Sequence, residues 1–266
     1  MEKIIIPSIE LMVLASYFDK NYFYGISDPF FGMTPEEIKA NVESAKKSLD
    51  KNAFICMGFD GTEEVTEKGK ELISRTLEAE NYLFFDGLID GEAQNRILCY
   101  RNKDKETMCI DDKGELTITE NSIVDVIESF SKLYFDRNAK CEVSENIFLC
   151  KMELLKELKE IFDELKEESS AKEIEDRIVK KLVENGADKN IADGICKGLL
   201  KNCNYVSIMA GNTSKRNLKS FQLIITNDKI VYLQTLNNID NEVSYQLVDK
   251  DNVSNMIKEM FNNLEV

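Results

Sequence analysis

The chain of 266 residues contains no histidine. That removes the commonest general base, and with it Ser-His-Asp and Cys-His nucleophile systems and the H-E-x-x-H metallopeptidase helix. Only three prolines and twelve glycines are present, which leaves little material for disordered linkers. The seven cysteines are odd in number and form no C-x-x-C pair, so neither a zinc site nor a disulfide framework is expected. Several sit among apolar neighbours, as in "RILCY", "TMCID" and "IFLCKM", where a reduced cysteine packs as a small core residue. No apolar run approaches the ~18 to 20 residues of a membrane span, and the first residues lack the features of a secretory signal. A reducing cytoplasm is the expected location, with no membrane insertion.

Phosphate-binding motifs are missing too. The glycines fit neither G-x-G-x-x-G nor G-x-x-x-x-G-K-[ST], and "GTEEVTEKGK" has the wrong spacing. "DGLIDGE", Asp86 to Glu92, holds three carboxylates, but its spacing is not that of a calcium loop and a turn after a strand explains it. No catalytic residue, metal ligand or cofactor-binding residue is assigned, and the chain reads as a non-enzyme.

What is abundant is acid. The formal net charge is −15, and residues 1–149 hold 17 basic against 29 acidic side chains. Such a field repels nucleic acid and suits a partner with basic patches.

The chain also repeats itself. "LEAENYLFFDG" (Leu77–Gly87) and "LKNCNYVSIMAG" (Leu200–Gly211) each place a leucine four residues before an Asn-Tyr pair, then an apolar run, then glycine. After the first come strand-like runs in "RILCYRNKDKETMCIDDKGELTI", with glycine in a tight hairpin at "IDDKGEL"; after the second come "SFQLIITNDKIVYLQT" and "VSYQLV". Each block closes with an amphipathic helix: Ile123, Val126, Ile127 and Phe130 after Asn121 as cap, then Val253, Met256, Ile257 and Met260 after Asp251. Extra residues near "LNNIDNEVS" lengthen the second block in a turn, where length costs least.

Upstream of each block the pattern is helical. Thr34, Pro35 and Glu37 make a capping box with proline at the first helical position. In the second half Leu155, Leu158, Phe162 and Leu165 form one stripe, Gly186 stops a helix and Asp188 starts another. The expected fold class is α+β: two similar halves, 1–149 and 150–266, meeting near residues 136–150. Each would run helices, about four antiparallel strands and a closing helix, around a shared antiparallel sheet flanked by helical bundles.

Two segments carry partner-binding potential. Residues 34–80 have the outline of a winged helix, but with 7 basic against 11 acidic groups they favour a structural or protein-binding use over DNA recognition. A winged-helix transcriptional regulator is the alternative function. "NYFYGISDPFFGMT", Asn21 to Thr34, is an aromatic loop punctuated by glycine and proline. Phe30, Phe31 and Met33 in it are candidate partner contacts, together with Leu155, Leu158 and Phe162.

"IPSIELMVLASYF", "SLDKNAFICMGFDGTEEVTEKGKELISRTLEAENY" and the strand block ending in "NSIVDVIESF" together resemble the EspG family, cytosolic chaperones for type VII (ESX) secretion substrates. The resemblance spans nearly the whole chain through hydrophobic patterns and carries no sharp motif, so it transfers no single functional residue. It implies a quasi-twofold body that masks the apolar tip of a secreted helical-hairpin protein. By analogy, a groove in residues 151–200 and the turn "RNKDKE" would meet that tip. The lysine- and asparagine-rich composition is similar to that of a low-GC Firmicute relative serving LXG-type or WXG100-like clients.

Overall fold

A computed structural model describes residues 3–20, 23–89, 92–93, 95–135, 146–165, 170–200, 204–215, 217–226, 230–235 and 242–264. The first half opens with an edge strand β1 (Ile4–Pro7) that runs into α1 (Ser8–Ser16) and then α2 (Pro35–Lys51). A two-stranded hairpin, β2 (Ile55–Met57) and β3 (Glu63–Val65), leads to α3 (Glu67–Arg75). Strands β4 (Asn81–Ile89), β5 (Glu92–Ala93), β6 (Arg96–Asn102), β7 (Lys105–Asp112) and β8 (Glu115–Glu120) follow, then α4 (Ile123–Tyr134). The second half begins with β9 (Ile147–Lys151), α5 (Met152–Leu165), α6 (Ala171–Glu184) and α7 (Lys189–Leu199). It ends with β10 (Asn204–Asn212), β11 (Asn217–Ile225), β12 (Ile230–Thr235), β13 (Glu242–Leu247) and α8 (Lys250–Asn262).

Eleven of these strands make one antiparallel sheet in the order β1-β8-β7-β6-β4-β10-β11-β12-β13-β9, with β5 paired to the end of β4. The first-half strands fill one side, the second-half strands the other, and the halves join along β4 and β10. In that seam Asn81 lies opposite Asn212, Phe85 opposite Ile208 and Leu88 opposite Tyr205.

Alternation along the strands assigns the two faces. Leu83 and Phe85 of β4 with Val206, Ile208 and Ala210 of β10 point to α4 and α8, and form a core that belongs to both halves. On the opposite face Leu98, Tyr100, Cys109, Leu116 and Ile118 pack under α1–α3. Phe148, Cys150, Ile224, Val243, Tyr245 and Leu247 pack under α5–α7. The molecule is therefore a mixed α+β sandwich: two helices, a wide sheet, and two separate three-helix bundles.

Local signals place most helix ends. Thr34 Oγ1 accepts the Glu37 amide while Glu37 Oε2 accepts the Thr34 amide at 2.8 Å, and Asp188 caps α7 at 2.9 Å. Gly186, at φ 95°, ends the helix before it, and Lys113-Gly114, both at positive φ, turn the β7–β8 hairpin. Two caps differ from expectation. Ser122, not Asn121, caps α4 because its hydroxyl is the group that reaches the Asp125 amide. Asp249, not Asp251, caps α8, which puts Asp251 inside the first turn. Glu63–Val65 form β3, and α3 starts after its cap Thr66. The edge strands β1 and β9 were not anticipated. Most of the expected meeting point between halves and of the turn near "LNNIDNEVS" lies outside the described residues.

Candidate functional site: a groove between the helical bundles

On the bundle side, α3 contacts β6 and β7, while α7 contacts β11, β12 and β13. Between them, three central strands present a floor of four rows: Tyr82–Gly211–Leu218, Phe84–Met209–Ser220, Asp86–Ser207–Gln222 and Leu88–Tyr205–Ile224. Tyr82, Phe84, Asp86, Tyr205, Ser207, Met209 and Gln222 are all half-buried, in contrast to the fully buried residues that alternate with them toward α4 and α8. Leu88 and Leu218, at opposite ends, are 43% and 58% exposed. A half-covered stripe with aromatic, thioether and leucine side chains is a surface able to bury more apolar area than it does alone.

The polar centre of the floor is organised. The Tyr205 hydroxyl donates to Gln222 Oε1, and Gln222 Nε2 donates to Ser207 Oγ at 3.3 Å. Asp86 Oδ1 accepts from Arg96 Nε at 3.4 Å. Tyr82 lies over Gly211, where a β-carbon would collide with its phenol, and burial raises that phenol's pKa. Gly211 is thus the residue that lets the ring lie flat on the sheet.

The loop of residues 23–33 forms one bank. Phe23 is buried, Tyr24 stacks on Tyr82 with centroids 4.3 Å apart, and the Tyr100 hydroxyl donates to the Tyr24 carbonyl at 2.8 Å. Beyond it a cleft of about 560 Å³ opens, walled by Ile26–Pro29, Asp86, Arg96, the turn at Lys113-Gly114 and the start of α1.

The residues singled out from sequence lie in two places. Phe31 is 89% exposed, while Phe30 and Met33 are half-buried on the loop bank. In α5, Leu155 and Phe162 lie half-buried against the second bundle's core, and Leu158 is wholly buried inside it, a packing residue with no surface to offer. The floor itself was missed. Its signal was the mixed Tyr-Phe-Asp-Leu series at alternate β4 positions, where a fully covered strand face would be uniformly apolar.

In the winged-helix outline, three of the seven cations are in ion pairs: Lys46 with Glu63, Lys70 with Glu67, and Arg75 with both Glu71 and Glu120. Among the described residues no group of three or more acidic or thiol side chains converges on a metal position. No helix among them is long and apolar enough to cross a membrane.

No family model matches the chain, and no curated protein sequence matches it. The fold does have a solved counterpart. The Mycobacterium tuberculosis type VII secretion system chaperone EspG5, solved in complex with the PE25–PPE41 dimer, superposes with a TM-score of 0.64. The match covers 98% of this chain and 96% of that one at 10% sequence identity. The chain has an EspG-like fold.

Proposed function

We propose that this protein is a non-enzymatic chaperone or adaptor of the cytosol, which seats the apolar tip of a secreted helical-hairpin protein in the groove between its two bundles. What carries the reading is the pairing of an end-to-end EspG-like fold with the half-covered stripe that runs from Leu88 to Leu218. An exposed apolar tip on a secretion client aggregates; a groove that supplies matching apolar rows and a polar centre lowers that exposure and fixes orientation. The client class we favour is LXG-type or WXG100-like, in a low-GC Firmicute setting, with Phe31 on the loop bank and Leu155 and Phe162 on α5 of the second bundle as further contacts. In the same reading the two halves descend from one unit. The 123-residue offset between the Asn-Tyr pairs maps Phe85 onto Ile208, which are also direct partners in the seam.

Co-expression with a hairpin protein encoded beside this one should give a stoichiometric complex on size-exclusion chromatography. Leu218→Glu and Met209→Lys should abolish it while leaving the thermal midpoint of the free protein within a few degrees. Formation of the same complex by both variants would remove the groove from the proposal, and recovery of no complex with any neighbouring hairpin protein would remove the chaperone role.

A further inference from the structure

The loop bank contains a segment built differently from the rest. Ile26–Phe31 lies between two glycines at positive φ, Gly25 at 80° and Gly32 at 82°. A β-carbon at Gly25 would run into Leu98 and press on Phe84 at 3.3 Å, so this end is packed against the sheet; at Gly32 it would meet nothing within 4 Å. Among the described residues, one side-chain hydrogen bond ties Ile26–Phe31 to the sheet, from Arg96 Nη1 to Ser27 Oγ at 2.6 Å, and the only other bond leaving the segment is the turn bond from the Met33 amide to the Phe30 carbonyl at 3.0 Å, across Gly32. The remaining bonds are local: Asp28 accepts the Phe30 amide with its side chain and the Phe31 amide with its carbonyl, so the segment holds its own shape.

Underneath there is space. Ile26, Ser27, Asp28 and Pro29 form one wall of the cleft, with the β7–β8 turn and the start of α1 opposite. Ile26 and Phe30 are half-buried, which keeps the segment closed, whereas Phe31 at its apex is 89% exposed. Arg96 also pairs with Asp86 on the groove floor. Releasing Ser27 therefore exchanges a neutral hydroxyl for water and leaves the guanidinium with its carboxylate, so opening strands no charge.

We propose that Ile26–Phe31 is a flap, hinged at Gly25 and Gly32 and latched by Arg96, that swings onto a protein seated in the groove and brings Phe31 against it. The partner's identity rests on the chaperone reading; the motion does not. Dilute chymotrypsin tests the motion on the free, full-length protein, with cut sites mapped by intact mass. The first cut should fall at Phe30 or Phe31. Arg96→Ala and Ser27→Ala should each speed that cut roughly fivefold, the scale of one lost hydrogen bond acting on the open population, while other cuts and the thermal midpoint stay unchanged. Ser27→Ala removes a single exposed hydroxyl and keeps the test valid if Arg96→Ala unsettles the sheet. Equal rates at Phe31 in all three proteins overturn the flap, whatever the partner. Faster cutting in the variants with no hairpin partner ever recovered upholds the flap and leaves the chaperone reading to fail alone.

Discussion

Asn81 and Asn212 show what a single residue does in the seam. Both are buried, Asn212 Nδ2 donates to Asn81 Oδ1 at 2.8 Å, and Asn212 Oδ1 accepts from Ser214 and from the Lys215 amide. Asn212→Leu removes all of these and takes the Nδ2 donor away from the buried Asn81 Oδ1, at an expected cost of about 1–3 kcal/mol, read as a shift in the urea midpoint. Gly87 imposes a stricter limit: a β-carbon there would lie 2.7 Å from the Tyr205 carbonyl and 2.8 Å from the Tyr134 ring. Because one obstacle is backbone, Gly87→Ala should destabilise by about 1–3 kcal/mol, and a variant as stable as wild type would refute the close approach. The Asn-Tyr pairs were readable as strand starts, but not their partners. Asn81 is the sequence counterpart of Asn204, yet it meets Asn212, since antiparallel neighbours run past one another.

Helix ends were the most legible elements, because a cap is decided within four residues. Three capping boxes also set an acid limit. Glu37 and Glu173 are held below the usual carboxylate pKa chiefly by the Thr34 and Ser170 backbone amides, and Asp125 chiefly by the Ser122 hydroxyl. Groups so depressed stabilise the fold in full above their ordinary values of 4.5 and 3.8, and the contribution disappears as pH falls through and below them. The thermal midpoint should therefore drop below about pH 4.5, and Asp125→Asn combined with Glu173→Gln should flatten that drop while lowering the midpoint at neutral pH. An unchanged acid profile in the double variant would separate the caps from the effect. The edge strands resisted reading for the opposite reason. "IIIP" and "IFLCK" are short apolar runs continuous with helices, and what makes them strands is pairing with Ile118 and Tyr245, roughly a hundred residues away.

At the scale of the whole molecule, the halves are bound by more than the seam. Arg101 of β6 donates to Glu106 at 2.6 Å and to Asn262 of α8 at 2.9 Å, and its guanidinium lies 4.1 Å from the Phe261 ring centroid. Glu106 in turn accepts the first amide of α4. Arg101→Ala should cost about 2–3 kcal/mol and, since one core serves both halves, still unfold in a single transition; two resolved transitions would mean the halves are independent domains. Residues 1–149 and 150–266 expressed apart should each be aggregated, and together should restore the native circular-dichroism spectrum. The large antiparallel sheet with its flanking helices was visible in the pattern of the sequence, whereas the groove was not. Its floor is drawn from β4, β10 and β11 together, and no local stretch encodes a surface shared by strands as far apart in sequence as β4 and β10.

The seam also sets a timetable. Asn212 follows Asn81 by 131 residues, so at ~5–20 residues per second β4 waits roughly 7–26 s on the ribosome before its partner strand exists. Through that interval Leu83 and Phe85 have neither β10 beside them nor α8 above them, which makes the nascent first half itself a client for whatever holds unfinished chains in the cell.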